Sequence, residues 1–110
     1  MGYSVVVHEM RSQTMTPAHK TGQFAELVCS NSLGSLSSAA APGQLKWEAE
    51  NLGSKVLESA WGARVPAGQS LSVDREVFAN RVTEIMRAHP RISVETKVVE
   101  SLDEVPRPCV

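Results

Sequence analysis

The fold class is decided by residues 3–11, which read Tyr-Ser-Val-Val-Val-His-Glu-Met-Arg. Val5, Val6 and Val7 form a continuous β-branched run rather than an alternating one. Such runs are typical of parallel strands that are covered on both faces. We therefore expect a buried strand over residues 3–9 in an α/β protein with a parallel sheet.

The middle of the chain predicts a long loop followed by a helix. Residues 10–41 show little periodicity and are rich in Ser, Thr, Asn and Gly, with room for a short helix near 24–28. An ordered loop of this length in a compact domain is usually functional. Residues 44–61 have apolar side chains at helical spacing. The apolar positions expected on the buried side are Leu45, Ala49, Leu52, Val56 and Ala60.

Two glycines punctuate this helix. Gly53 lies inside it, so either the helix bends there or another group packs close to its backbone. Gly62 follows the last apolar position and is expected just beyond the helix C-terminus.

The C-terminal part predicts a second helix and a second strand. Residues 70–73 are a short extended piece, and Asp74 is placed to cap a helix over 75–88. A β-branched stretch then predicts a strand over 92–99. The order of elements indicates one partial domain over residues 1–110, with too few strands to complete a sheet.

Composition limits the classes of function. The 110 residues carry a net charge of −1, with 42% apolar and 21% charged residues, as in ordinary soluble domains. RNA-binding domains are usually basic, so this segment is not expected to be a main electrostatic surface for RNA. Cys29 and Cys109 indicate neither a disulfide framework nor a metal site. With no signal peptide and no run of about 20 apolar residues, we expect a cytoplasmic protein without membrane segments.

Three positions have side chains suited to ligand binding, each with a plainer alternative. Glu9 ends the first strand, where an acidic residue can bind a ribose hydroxyl, or it is a solvated strand end. Cys29 precedes Ser30 and Asn31, a small polar run that suits a polar ligand, or it is a buried inert thiol. Arg75 opens a helix, where it could bind a phosphate or simply lie on the surface.

Taken together, three runs carry a far more specific signal. They are His-Glu-Met-Arg at 8–11, Met-Thr-Pro-Ala-His-Lys-Thr at 15–21 and Phe-Ala-Glu-Leu-Val-Cys-Ser-Asn-Ser-Leu at 24–33. In this order they resemble the N-terminal region of the TrmFO family, the folate- and FAD-dependent tRNA (uracil-5)-methyltransferases, which is related to the GidA flavoproteins. The resemblance continues to the His-Pro pair at 89–90.

The resemblance implies a Rossmann-like FAD-binding domain and a defined reaction. Members form 5-methyluridine in the T-loop of tRNA, with FAD as cofactor and methylenetetrahydrofolate and NAD(P)H as co-substrates. The resemblance places Cys29 near the reactive face of the flavin and Glu9 on a ribose hydroxyl. The cofactor-binding residues that it implies are Glu9, Arg11, Val28, Ser30, Asn31, Arg75 and Val99, with the last two on the adenosine side.

The chain also departs from the family pattern. The family's glycine-rich FAD fingerprint and its Ala-Thr-Gly-Pro segment do not occur in the 110 residues. We therefore expect an N-terminal internal fragment that is inactive alone and pairs through exposed sheet edges with missing parts of its parent chain or with another copy. The alternatives are a small stand-alone protein that binds a nucleotide or a partner, and a non-functional remnant of a split gene.

Overall fold

The computed structural model describes residues 2–110, which form two compact units. One unit combines the residues up to Gly22 with Arg87–Val110, and the other is Gln23–Met86. The elements in chain order are β1 (Val5–Glu9), β2 (Ser32–Ser35), α1 (Ala41–Asn51), α2 (Lys55–Gly62), β3 (Arg64–Val65), β4 (Ser70–Val73), α3 (Arg75–Ala88), β5 (Ile92–Thr96) and a 3-10 turn at Leu102–Glu104. The expected single domain is thus divided in two, because the middle of the chain has a core of its own.

In the first unit, β1 and β5 form a two-stranded parallel sheet. The pairing runs in register from Val5 opposite Ile92 to Glu9 opposite Thr96. The α/β class and the incomplete parallel sheet are therefore confirmed.

Two details of this sheet differ from the prediction. Val5 and Val6 are half-exposed, so the expectation of a buried strand is wrong here, because burial of a parallel strand needs covering layers on both faces. The second strand ends at Thr96 rather than at residue 99. Its pairing stops because β1 ends at Glu9, whose carbonyl accepts a last hydrogen bond from the Lys97 amide at 3.2 Å.

The second unit contains an antiparallel sheet in the order β2-β4-β3, with helices that share its core. The buried apolar residues of this core are Leu57, Ala60, Ala63, Leu71, Val73, Phe78 and Val82. Strand β2 lies inside the expected loop and was missed, because its Ser-Leu-Gly-Ser sequence has no strand signal until it pairs with β4. Residues 24–28 form turns rather than a short helix, and Ala25 has a φ of 57°.

The expected continuous helix over 44–61 is two helices separated at Gly53. Gly53 has a φ of +75°, and a Cβ added there would meet nothing within 4 Å. The glycine is therefore needed for the change of chain direction, and not because another group packs close to the helix backbone. The Ser54 amide bonds to the Ala49 carbonyl at 3.0 Å, and the Gly53 amide bonds to the Glu50 carbonyl at 2.9 Å. These two bonds make a Schellman motif, which ends α1 in the left-handed conformation that glycine adopts without strain.

The buried face of α1 is also not the expected one. Leu52 is 88% exposed, whereas Lys46 is only 7% exposed. The Lys46 ammonium donates to the carbonyls of Ser35 and Pro42, both at 3.0 Å, which satisfies a charge that would otherwise be costly to bury. On the same face, a Cβ at Gly43 would overlap the Ser37 carbonyl, so this side of α1 packs against the backbone that follows β2.

Helix α3 confirms the prediction from its capping sequence. It spans Arg75–Ala88, and the Asp74 carboxylate accepts hydrogen bonds from the amides of Glu76 and Val77, both at 3.0 Å. Phe78 and Val82 are buried in the core of the second unit, as their spacing indicated. The capping side chain satisfies amides that have no partner inside the helix.

Candidate functional site

At the end of β1, Glu9 and Arg11 form a tightly bonded pair. One carboxylate oxygen of Glu9, Oε1, accepts from the Arg11 amide at 2.8 Å and from its Nε at 2.9 Å, and Oε2 accepts from Nη2 at 2.6 Å. Both side chains are largely buried, with 14% of Glu9 and 10% of Arg11 exposed. The chain turns directly after the strand, where the Gln13 and Thr14 amides both bond to the Met10 carbonyl. This turn returns the guanidinium to the carboxylate two residues earlier.

The environment of Glu9 favours its ionised form. The side-chain hydrogen bonds from Arg11 lower the pKa of the Glu9 carboxyl from 4.5 to about 2, although burial acts in the opposite direction. Glu9 is therefore a carboxylate at neutral pH and can accept, but not donate, hydrogen bonds. Arg11 acts on Glu9 directly, a relation that the i, i+2 spacing alone did not reveal.

Val99 also belongs to the first unit, but not to a strand. It lies three residues beyond the end of β5 and is half-buried in an irregular segment. In the same unit the Thr16 hydroxyl and the His19 Nδ1 lie 2.6 Å apart within a turn. This pair gives the Thr-Pro-Ala-His run a defined local geometry, which was not anticipated.

In the second unit, residues 28–31 lead into β2. Cys29 is exposed, so its thiol is accessible rather than buried. Two hydrogen bonds join Asn31 to Val73. The Asn31 side-chain amide donates to the Val73 carbonyl at 3.1 Å, and the Asn31 backbone carbonyl accepts from the Val73 amide at 2.9 Å. The Ser30 hydroxyl accepts from the Ser32 amide at 3.1 Å. These bonds hold the backbone around Cys29, and the residue itself stays exposed.

Arg75 lies beside this segment. Its Nη2 donates to the Cys29 carbonyl at 3.4 Å, so the start of α3 and the Cys29 segment are in contact. Val28, which precedes the thiol, is half-exposed. The expected site residues thus fall into two groups: Val28, Cys29, Ser30, Asn31 and Arg75 lie in the second unit, while Glu9, Arg11 and Val99 lie in the first.

Sites of two other kinds do not occur in residues 2–110. Over that range no three His, Cys, Asp or Glu side chains converge as metal ligands would. None of the helices described there combines the length and the apolar character required to cross a bilayer.

Comparison with known proteins identifies the family of the chain. The family model described as "Glucose inhibited division protein A" matches residues 1–107. The chain belongs to the GidA family. Among individual relatives, this GidA-family chain is 61% identical over 110 residues to a Bdellovibrio bacteriovorus protein, covering all of the chain and 25% of the relative. That protein is named methylenetetrahydrofolate–tRNA-(uracil-5-)-methyltransferase TrmFO.

Two further relatives have the same name. The Aquifex aeolicus protein is 50% identical over 105 residues, which cover 96% of the chain and 23% of the relative. The Thermus thermophilus protein is 49% identical over 106 residues, with the same two shares. The GidA-family chain therefore spans about a quarter of the length of the curated relatives that it matches. The resemblance read from its motifs is confirmed.

Proposed function

We propose that the chain forms part of the FAD site of a tRNA (uracil-5)-methyltransferase that uses methylenetetrahydrofolate. The observation that carries this proposal is 61% identity, along the whole chain, to a protein with that name. NAD(P)H as reductant, tRNA as substrate and a cytoplasmic location belong to the same proposal. When bound, FAD supplies the redox chemistry, and the protein binds, orients and shields it.

Glu9 has the geometry to bind a ribose hydroxyl. Its Oε1 accepts from two donors of Arg11, whereas one bond to Oε2, from Nη2, is described within residues 2–110. A carboxylate oxygen can accept two, so Oε2 can take a further donor. Arg11 then acts by holding the carboxylate ionised and in a fixed orientation, rather than by touching the ligand itself.

The Cys29 segment has the properties of a cofactor-facing loop. Its thiol is exposed, and the backbone on either side is fixed by the Asn31–Val73 bonds and the contact from Arg75. A fixed backbone with an accessible thiol can present Sγ to a bound ring without rearrangement. We assign Cys29 to the flavin side, and Val28 and Ser30 to the adjoining wall.

The proposal includes additional strands, from outside the 110 residues, that complete the sheet of the first unit. Sheet edges with free backbone groups pair readily with other strands, and in the first unit β1 and β5 form only a two-stranded sheet with half-exposed valines. We propose that other parts of a parent chain, or a second copy, complete this sheet. The 110 residues alone should not transfer a methyl group, and methylation of tRNA by the purified chain with all co-substrates would contradict this.

The test is FAD binding by the chain, followed through quenching of flavin fluorescence. We expect weak binding, in the micromolar range or above, because no glycine-rich phosphate-binding turn occurs in the 110 residues. Glu9→Gln should weaken it about tenfold, as expected for the loss of a charge-assisted hydrogen bond. Glu95→Gln on β5 is the matched control and should leave the affinity unchanged. Equal affinities of Glu9→Gln and the wild type would remove Glu9 from the site.

A further inference from the structure

A shallow depression in the second unit has no role in the proposed flavin site. It lies beside the hairpin that joins β3 to β4 and has a volume of about 390 Å³. Its lining residues are Arg64, Val65, Pro66, Ala67 and Gly68. The wall is mostly apolar, and Arg64 provides its one charged side chain.

Arg64 is held in place by an aromatic ring. Its guanidinium lies over the Trp61 ring, 5.3 Å from the ring centroid, in a cation–π contact. The indole N–H of Trp61 donates to the Glu50 carboxylate, which fixes the ring in turn. Stacking restricts the arginine side chain without using its N–H groups, so the guanidinium is oriented and still able to bind.

The depression offers hydrogen-bond donors that the protein does not use. Across residues 2–110, Arg64 has no carboxylate partner, and the backbone amides of Ala67 and Gly68 donate to no protein acceptor. Gly68 has a φ of +58°, so the turn is one that other residues adopt only with strain. A planar guanidinium matches the oxygens of a phosphate, and backbone amides in a turn add uncharged donors for the same anion.

A second arginine lies nearby but differs in one respect. The Arg81 guanidinium packs over Gly62, leaving no room for a side chain at that glycine. The charge of Arg81 also interacts with an acid, because it lowers the pKa of the Glu58 carboxyl after the larger effects of Lys55. No ion pair within residues 2–110 joins Arg64 to an acid, so its guanidinium is available for an external anion.

We propose that Arg64 and the hairpin amides bind a phosphate of an RNA backbone. This rests on the proposed function and names a contact between the chain and its tRNA substrate. The depression is open, so a small phosphate held there would remain in water and bind weakly. A polynucleotide adds contacts elsewhere and makes such a phosphate contact effective. The net charge of −1 fits one discrete contact better than a broad basic surface.

The experiment measures binding of a fluorescently labelled RNA stem-loop by the intact chain at several salt concentrations between about 50 and 200 mM. Arg64→Ala should weaken binding about tenfold at the lowest salt and reduce the slope of log K against log salt by about 1. Arg64→Lys should keep the slope but bind several-fold more weakly, because lysine lacks the planar fork. Arg87→Ala, which removes an exposed arginine at the end of α3, is the matched control and should change binding less than about twofold. Circular dichroism verifies the fold of each variant.

The outcomes distinguish an RNA phosphate from a small free phosphate, and they distinguish the RNA contact from the FAD proposal. Inorganic phosphate and a mononucleotide should show no saturable binding, and FAD affinity should be the same for Arg64→Ala and the wild type. Loss of FAD affinity in Arg64→Ala, no RNA binding by the wild type, or equal slopes for Arg64→Ala and Arg87→Ala would each overturn the RNA contact. If the wild type fails to bind FAD but the slope still changes at Arg64, the flavin proposal fails and the RNA contact stands.

Discussion

Replacing Arg11 with methionine should raise the pKa of the Glu9 carboxyl and destabilise the first unit. The two side-chain hydrogen bonds from Arg11 are the largest cause of the low pKa of Glu9, about 2 against an ordinary 4.5, and the Arg11 amide adds a smaller lowering. A difference of roughly 2.5 pKa units corresponds to about 3 kcal/mol, at 1.36 kcal/mol per unit. The variant keeps the hydrogen bond from the amide of residue 11, while burial still raises the pKa of the carboxyl, so this pKa should return toward 4.5.

The pH dependence follows from the sign of the shift. A carboxyl whose pKa is lowered by folding stabilises the protein above its unfolded-state pKa, and this contribution is lost as the pH falls through the folded-state value. The wild type should therefore lose about 3 kcal/mol of unfolding free energy between roughly pH 5 and pH 2. Arg11→Met should lack most of this contribution at pH 7 and lose correspondingly less unfolding free energy on acidification.

The assay is a carbon-detected NMR titration of the Glu9 carboxyl, combined with urea unfolding at several pH values. Lys55→Met is the matched control, because it removes an ion pair of 2.5 Å between Lys55 and Glu58 whose partners are both well exposed. Exposed pairs contribute little to stability, so this variant should unfold like the wild type. A wild-type Glu9 that titrates near 4.5, or a shift of under half a unit in Arg11→Met, would refute the reasoning.

Three further substitutions test the second unit by urea unfolding. Gly53→Ala should lower the free energy of unfolding by about 1 kcal/mol, because a φ of +75° strains a residue that has a Cβ. Gly22→Ala in the first unit is its control and should leave the free energy of unfolding unchanged, because Gly22 has open space around it and no positive φ. Phe78→Ala should cost about 3–5 kcal/mol, since Phe78 is fully buried in the core, and a smaller loss would mean that the cavity collapses. Lys46→Met should cost about 1–3 kcal/mol by leaving two carbonyls without their donor, and an unchanged unfolding midpoint would show that water replaces the ammonium.

Local signals explain which parts of the fold were predictable. Asp74 and the apolar spacing after it lie within a few residues of each other, and α3 was found at the bounds that they indicated. The parallel pairing of β1 was recognised from its continuous valines, because that composition reflects the kind of sheet. Gly53 marked the break in the helix, but composition alone could not decide between a bend and a close approach.

Long-range contacts explain the rest. The inward face of α1 depends on Lys46 reaching the Ser35 carbonyl, eleven residues away, so the apolar pattern of the helix was misleading. The clamp of Arg11 on Glu9 depends on the turn between them, which the sequence does not specify. Of the candidate site, the sequence marked the Cys29 segment and Glu9, but not the contact from Arg75 that fixes the former.

The pairing of β1 with β5 has a consequence for protein synthesis. Val5 pairs with Ile92, so the pairing of β1 with β5 cannot form until 87 more residues have been translated. At about 5–20 residues per second, this delay lasts roughly 4 to 17 seconds. Residues 23–86 have a core of their own, so that unit does not need this pairing in order to pack. Until then the edge of β1 that β5 covers is open on the nascent chain, and such an edge can pair with other strands.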